Sequence, residues 1–227
     1  MSNDYDALRA TQLHSKSFDA FIAFEDDSFC VFNKPYDLQV DGERPLTVTK
    51  IFHAFDKCEG NLRLCHQLDY ATSGLLLIAK TREAASTARR WFDERLVLKT
   101  YHALVEGHLR GIDEILSPLR EERHRAVVDA QGKAASTTIS KVVHGYFHGH
   151  RASLVTLTPR TGRRHQLRAH LDAVGHRILG DVTYGGDKTL SRMMLHATSL
   201  TLPTEPSRVI ESSVPFSLES TISDYHS

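Results

Sequence analysis

Along the chain, short alternating or uninterrupted apolar runs outnumber the longer segments with helical spacing. Such runs are typical of β-strands. They occur at residues 21–24, 29–32, 74–79, 100–106, 136–143, 152–158 and 193–202. The acidic segment 25–28 separates the first two runs, which predicts a tight turn between paired strands, and Asn33-Lys34-Pro35 ends the second strand.

Three segments carry apolar residues at the i, i+3, i+4, i+7 spacing of a helix. The apolar positions are Val48, Ile51, Phe52 and Phe55 in the first segment, Ala84, Ala88, Trp91, Phe92 and Leu96 in the second, and Leu167, Leu171 and Val174 in the third. Pro45 precedes the first helix, Thr81 is the predicted cap of the second, and Gly175 ends the third.

Because the predicted strands outnumber the helices and do not alternate regularly with them, we predict an α+β fold: a mixed, mainly antiparallel sheet with packed helices. Residues 111–132 are interpreted as an excursion away from the core. Both ends are polar and unpatterned, so we expect flexible segments at residues 1–19 and 218–227 around one folded domain at residues 20–217.

The composition is that of an ordinary globular protein, with 41% hydrophobic residues and 28 basic side chains against 28 acidic ones. Zero net charge gives no general attraction to nucleic acid, so any such site must be local. No apolar run approaches the roughly 20 residues of a membrane-spanning helix. Cys30, Cys58 and Cys65 lack Cys-x-x-Cys spacing and the acidic N-terminus lacks a secretory segment, so we expect reduced thiols in the cytoplasm.

Two polar segments could carry chemistry. Residues 66–74 form a polar loop directly before an apolar strand, and Asp69 is the carboxylate within it. The alternative for Asp69 is a structural one, in which it caps a turn through Thr72 and Ser73.

The second segment, residues 160–177, holds five arginines against Asp172, a local charge of 5 − 1 = +4. Guanidinium groups bind phosphate or carboxylate in a fork, and the loop entering a helix at residues 162–166 would add backbone N–H donors. A solvated arginine-rich turn is the alternative.

The sequence contains no pattern for a metal or a nucleotide cofactor. His144, His148 and His150 are close in sequence, but no His-Glu-x-x-His spacing occurs among the fourteen histidines. Glycine-rich phosphate loops, dinucleotide fingerprints and Gly-x-Ser-x-Gly are also absent from the sequence. We therefore predict no metal and no cofactor.

Five motifs, in order, resemble the RluA-type family of RNA pseudouridine synthases. They are Asn33-Lys34-Pro35, residues 66–77, residues 99–107, residues 161–171 with 175–181 and Tyr184-Gly185, and Leu195-His196-Ala197. The resemblance covers about residues 20–217. It implies an isomerase without a cofactor, with a mainly antiparallel sheet in two lobes and a central RNA-binding cleft.

The resemblance also implies roles for individual residues. Asp69 would be the catalytic aspartate, Tyr101 the active-site tyrosine, and Arg168 the basic residue that pairs with the aspartate. Most of the family has arginine where this chain has Gln67, a position associated with holding the RNA in place of the flipped base. This difference concerns RNA placement and substrate choice.

Arg163, Arg164 and His165 are candidate contacts to RNA phosphates, together with Gln67 in the loop. The partner expected is ribosomal, transfer or messenger RNA, bound by a monomer with no membrane and no nucleotide cofactor. Two other hypotheses stay open: a catalytically silent RNA-binding protein with this fold, supported by Gln67, and a glycosidase, which would need a second carboxylate.

Overall fold

The computed structural model describes residues 18–55 and 62–219. The chain divides into two compact units: Met1–Val97 with Thr201–Ser212, and Leu98–Leu200 with Ser213–Ser227. Cys58 and most of the predicted flexible ends lie outside the described residues. At the edges of the described chain, Phe18 is buried in a short 3-10 helix, Phe18–Phe21, and Glu219 forms a bridge with Tyr146.

The described residues form twelve strands and three α-helices. The strands are β1 (Ile22–Glu25), β2 (Phe29–Lys34), β3 (Arg63–Leu64), β4 (Ser73–Ala79), β5 (Leu98–Glu106), β6 (Glu114–Ile115), β7 (Leu119–Glu121), β8 (Ala126–Val128), β9 (Thr137–Phe147), β10 (His150–Pro159), β11 (Leu195–Leu202) and β12 (Arg208–Glu211). The helices are α1 (Val48–Ala54), α2 (Arg82–Asp93) and α3 (Gln166–Ala173).

In the first unit, β1 pairs with β2, and β4 pairs with both β2 and β3, all antiparallel. The predicted turn between β1 and β2 is confirmed. Its closure comes from Asp26, whose Oδ1 accepts hydrogen bonds from the backbone N–H of Ser28 (2.8 Å) and Phe29 (2.7 Å). Every residue of β4 is buried, so this strand is the centre of the unit's core.

Helix α2 begins as its sequence predicts and ends earlier. The Thr81 hydroxyl accepts a hydrogen bond from Ala84 N–H at 3.1 Å, which confirms the predicted cap. The helix stops at Asp93 because Arg95 takes the left-handed conformation (φ 59°) and Leu96 N–H bonds back to Trp91 C=O. Leu96 consequently lies outside the helix and is 46% exposed, so its inclusion among the apolar positions of this helix was wrong.

In the second unit, the strand order is β11-β5-β10-β9-β6. Strand β10 pairs antiparallel with β5 on one side and with β9 on the other. Strands β9 and β10 extend further than predicted, because His148 and Gly149, both at positive φ, join them as a two-residue hairpin. The prediction of an α+β fold with a mainly antiparallel sheet is confirmed.

The interpretation of residues 111–132 as an excursion was wrong. This segment contains β6 and the β7–β8 hairpin, in which Leu119 is 2% and Ala126 0% exposed. The hairpin packs against α3 in a buried cluster that includes Ala169 and Tyr184. The charged residues between the two strands dilute the apolar alternation, which explains why the pattern missed them.

Helix α3 is buried along most of its length, and Gly175 follows its end at φ 79°, as predicted. Its His170 lies in a hydrogen-bond chain: Nε2 donates to Ser117 C=O (2.9 Å), so Nδ1 is left to accept from the Thr137 hydroxyl (2.9 Å). Burial lowers the pKa of His170, which agrees with this neutral tautomer. No helix among residues 18–55 and 62–219 is long and apolar enough to span a membrane.

A fully buried lysine lies at the end of β2. Lys34 is 0% exposed, and its Nζ donates hydrogen bonds to the backbone carbonyls of Leu38 (2.8 Å), Pro35 (3.0 Å) and Tyr70 (3.2 Å). Three carbonyls match the three N–H donors of an ammonium group. Lys34 therefore ties the segment after β2 to the chain just before β4.

Replacing Lys34 by Met is expected to lower the free energy of unfolding by about 2–4 kcal/mol, because buried carbonyls lose their donor. Urea denaturation measures the change. Lys80→Met is the matched control: the Lys80 ammonium bonds Glu25 at 2.9 Å on the surface, so its loss should cost less than about 1 kcal/mol. A Lys34 variant as stable as the control would contradict this prediction.

The buried His196 is expected to make the folded protein less stable in acid. Burial, with smaller contributions from Arg192 and His102, lowers the pKa of His196 to about 4. In the unfolded chain His196 binds a proton near pH 6.5, whereas in the folded chain it binds one only near pH 4. The free energy of unfolding therefore falls as the pH drops from about 6.5 to about 4. His196 alone should cost about 2 kcal/mol between pH 7.5 and pH 5.

Urea denaturation at both pH values, with His196→Gln as the comparison, tests this expectation. The variant should lose less stability on acidification than the parent protein. Equal pH dependence in the two proteins would show that His196 is not held neutral.

Candidate active site

The loop that carries Asp69 is fixed at its start by His66. Backbone N–H of Leu77, in β4, donates to His66 Nε2 at 2.9 Å, so this nitrogen is unprotonated. The His66 ring also lies 5.0 Å from the ring of Phe92 on α2, measured between centroids. The loop therefore begins at a point that both β4 and α2 define.

The other side of Asp69 is fixed through Tyr70. The Tyr70 carbonyl accepts from Lys34 Nζ and from Leu38 N–H, each at 3.2 Å. The Arg44 guanidinium lies 4.3 Å from the centre of the Tyr70 ring. Thr72 N–H donates to the backbone carbonyl of Asp69 (3.1 Å), so the main chain closes the turn that follows.

Side chains alternate in direction through the loop. Gln67 is exposed, Leu68 is 7% exposed and packs in the core, and Asp69 is half-buried. A half-buried carboxylate held between two anchors can meet a ligand in a defined position. Gln67, two residues earlier, is open to solvent at the same loop.

In the second unit, Tyr101 lies on β5 opposite Leu157 of β10 and is 8% exposed. Lys99 is two residues earlier and therefore points to the same face of the sheet. Its Nζ lies beside Gly162, 3.9 Å from where a β-carbon would stand, and burial lowers its pKa. The site residues predicted from the sequence do not include Lys99, although its spacing from Tyr101 places both residues on one face of β5.

Arg168 is buried, with 4% of its surface exposed. Its Nε and Nη2 donate to Oδ2 (2.7 Å) and Oδ1 (2.8 Å) of Asp181, a bidentate ion pair. Its Cζ lies 5.4 Å from the centre of the Tyr184 ring. The pairing of Arg168 with Asp181 was not predicted from the sequence.

Arg163 and Arg164 lie beside the β7–β8 region. Arg163 Nε donates to Ala134 C=O (3.1 Å) and Arg164 Nη1 to Glu122 C=O (3.3 Å). The sequence predicted that backbone N–H groups at the start of α3 would be available to bind an anion. This prediction is wrong for Arg163, because its backbone N–H donates to Gln166 Oε1 (3.1 Å). His165, half-buried at φ 51°, completes the entry to α3.

The described cysteines, Cys30 and Cys65, form no disulfide. Burial raises the pKa of Cys65 to about 12, so its thiol stays protonated near neutral pH and is a poor nucleophile. Within residues 18–55 and 62–219, no group of three His, Cys, Asp or Glu side chains could hold a metal ion.

The first unit thus brings Lys34, His66 and Asp69 together around one loop, with Gln67 on its outside. The second unit brings Arg168 together with Asp181 and carries Tyr101 on β5. Arg163, Arg164 and His165 follow one another at the entry to α3 in this unit.

Comparison with known proteins gives these residues a context. The family described as RNA pseudouridylate synthase matches residues 28–173. RNA pseudouridylate synthase domain-containing protein 1 of Mus musculus is 38% identical over 213 residues, which cover 83% of this chain and 69% of that protein. The dual-specificity RNA pseudouridine synthase RluA of Haemophilus influenzae is 37% identical over 194 residues, 80% of this chain and 85% of that protein.

Solved structures agree with the sequence matches. The structure of human RNA pseudouridylate synthase domain containing 1 superposes with a TM-score of 0.76 and 35% identity, covering 86% of this chain and 84% of that one. The structure of human RNA pseudouridylate synthase domain containing 4 gives a TM-score of 0.73 and 25% identity, over 89% and 92% of the two chains. The chain belongs to the RNA pseudouridylate synthase family, a family of isomerases that includes the RluA-type enzymes.

Proposed function

We propose that this protein isomerises a specific uridine in RNA to pseudouridine, with Asp69 as the catalytic aspartate. The observation that carries the proposal is a half-buried carboxylate in a loop anchored by His66 on one side and Lys34 on the other, in a chain of this family. A catalytic group needs such fixed placement more than a simple binding surface does.

The reaction cleaves the N1–C1′ bond of the uridine, rotates the uracil and rejoins it through C5. The C5 proton is then released to water, and N1 of the product takes up a proton. Atoms and electrons balance without an oxidant or an energy source. Asp69 would supply the anion beside the ribose, either by adding at C1′ or by taking the C2′ proton to give a glycal.

Tyr101 and Arg168 have supporting roles in this proposal. A guanidinium within about 4–6 Å of a carboxylate favours the ionised form, which is the role assigned to Arg168 toward Asp69. Tyr101 would stack on the uracil and offer its hydroxyl near C5, where the proton leaves. An ordinary phenol, with a pKa of about 10, is a weak base, so stacking is its main contribution.

RNA binding is assigned to Gln67, Arg163, Arg164 and His165. The uridine must leave its stacked position to react, at a cost of a few kcal/mol that contacts to phosphates offset. Among ribosomal, transfer and messenger RNA, ribosomal RNA is the target proposed first, because a Buchnera aphidicola relative, 34% identical over 196 residues, is named ribosomal large subunit pseudouridine synthase C. The protein is expected to act as a monomer on cytoplasmic RNA.

Asp69→Asn is expected to abolish the release of tritium from RNA labelled at uridine C5, while the Kd for that RNA changes less than about threefold. The substitution removes the charge that the reaction needs and keeps the shape of the side chain. Tritium in water, measured after incubation with bulk cellular RNA, is the readout.

Asp27→Asn, in the exposed turn between β1 and β2, is the matched control and should keep full activity. An Asp69→Asn protein that still released tritium would remove Asp69 from the mechanism. No release by the parent protein together with tight, salt-sensitive RNA binding would favour a silent RNA-binding protein.

Arg164→Gln is expected to weaken RNA binding and to reduce the slope of log Kd against log salt by roughly 0.7–0.9, the value for one phosphate contact. Filter binding between low and high salt measures this slope. Arg89→Gln is the control, because Arg89 is 85% exposed on α2 and pairs only with Asp93 across one helical turn among the ion pairs described. Equal slopes for all three proteins would remove Arg164 from the phosphate contacts.

A further inference from the structure

The ion pair between Arg168 and Asp181 is buried and bidentate. Both side chains are buried, with 4% and 1% of their surfaces exposed. Asp181 takes the side-on edge of the guanidinium, formed by Nε and Nη2, with distances of 2.7 and 2.8 Å. Any second anion must then meet Arg168 through the end-on edge, formed by Nη1 and Nη2.

The backbone around Asp181 is fixed as well. Its Oδ1 also accepts from Thr183 N–H at 3.2 Å, and its carbonyl accepts from Gly186 N–H at 2.8 Å. A β-carbon on Gly186 would lie 2.8 Å from Asp181 N, and one on Gly180 only 2.1 Å from the carbonyl oxygen of Arg192. The carboxylate therefore has little freedom to follow a moving arginine.

Tyr184 connects this pair to the β7–β8 hairpin. Its ring centre lies 5.4 Å from Arg168 Cζ, while its hydroxyl donates to Ala126 C=O (2.8 Å) and accepts from Ala126 N–H (3.0 Å). The guanidinium thus has a fixed acceptor along its side-on edge and an aromatic ring near it. Its orientation is determined by groups outside helix α3.

We propose that Asp181 is a positioning residue for the isomerisation, which holds Arg168 so that its end-on edge is presented to the reacting groups. This inference rests on the proposed function. Removing two charges from water costs several kcal/mol, and well-packed apolar residues often replace a buried pair without loss of stability. Stabilisation of the fold is therefore a weak explanation for this buried ion pair. A fixed orientation of the Arg168 guanidinium explains it better.

The test compares Asp181→Asn, Arg168→Lys and the double variant in single-turnover tritium release. Asp181→Asn should slow the reaction about 10- to 100-fold, because a misoriented catalytic group loses rate on this scale. The Kd for RNA should stay within about threefold of that of the parent protein. Asp172→Asn is the matched control, since Asp172 pairs with Arg177 at 2.8 Å on the surface, and its rate should not change.

The double-mutant cycle separates positioning from a structural role. If Asp181 acts through Arg168, adding Asp181→Asn to Arg168→Lys should slow the reaction by less than about twofold. A further loss as large as in the parent background would overturn the proposal, as would an Asp181→Asn protein that reacts at the parent rate.

Arg168→Lys keeps a buried cation beside Asp181 but removes the fork, so it tests orientation even where Asp181→Asn fails to fold. It should slow the reaction about 100-fold, and a parent-like rate would overturn the proposal. A parent protein that releases no tritium from any RNA would instead refute the proposed function, an outcome distinct from an active parent with active variants.

Discussion

The candidate site of the first unit depends on the burial of one ammonium group. Lys34 has no exposed surface, and its ammonium group donates hydrogen bonds to three backbone carbonyls. The group remains tolerable in the core only while those carbonyls converge on it. The path of the chain at Tyr70, and with it the position of Asp69, follows from this requirement.

The second unit also contains a buried cation, but a carboxylate pairs with it. Its buried cation, Arg168, is satisfied by the carboxylate of Asp181, in a loop whose glycines allow close backbone contact. Tyr184 links the same loop to the β7–β8 hairpin through both backbone groups of Ala126. The side chains of Arg163 and Arg164 also donate hydrogen bonds to backbone carbonyls in this region. These bonds connect the arginine-rich segment, residues 160–177, to the region of the β7–β8 hairpin.

Most of the fold could be predicted from the sequence, because apolar periodicity reports which faces are buried. The apolar pattern failed to predict the end of α2, which the left-handed backbone conformation of Arg95 determines. It also missed the short strands that contain Leu119 and Ala126, because charged residues surround them. Asp69, Tyr101 and Arg168 were selected by motif. The pairing of Arg168 with Asp181 and the placement of Lys99 beside Gly162 were not predicted, since both depend on tertiary contacts that spacing does not encode.

The most direct test of the proposed reaction is nucleoside analysis of an unmodified RNA transcript after incubation with the protein. Isomerisation predicts one uridine lost for each pseudouridine gained, no free uracil, and no change with the Asp69→Asn protein. Release of free uracil would contradict this result and indicate glycoside hydrolysis. If every accessible target RNA is supplied and the RNA binds but stays unchanged, the result would contradict isomerisation. It would favour a protein that binds RNA without reacting.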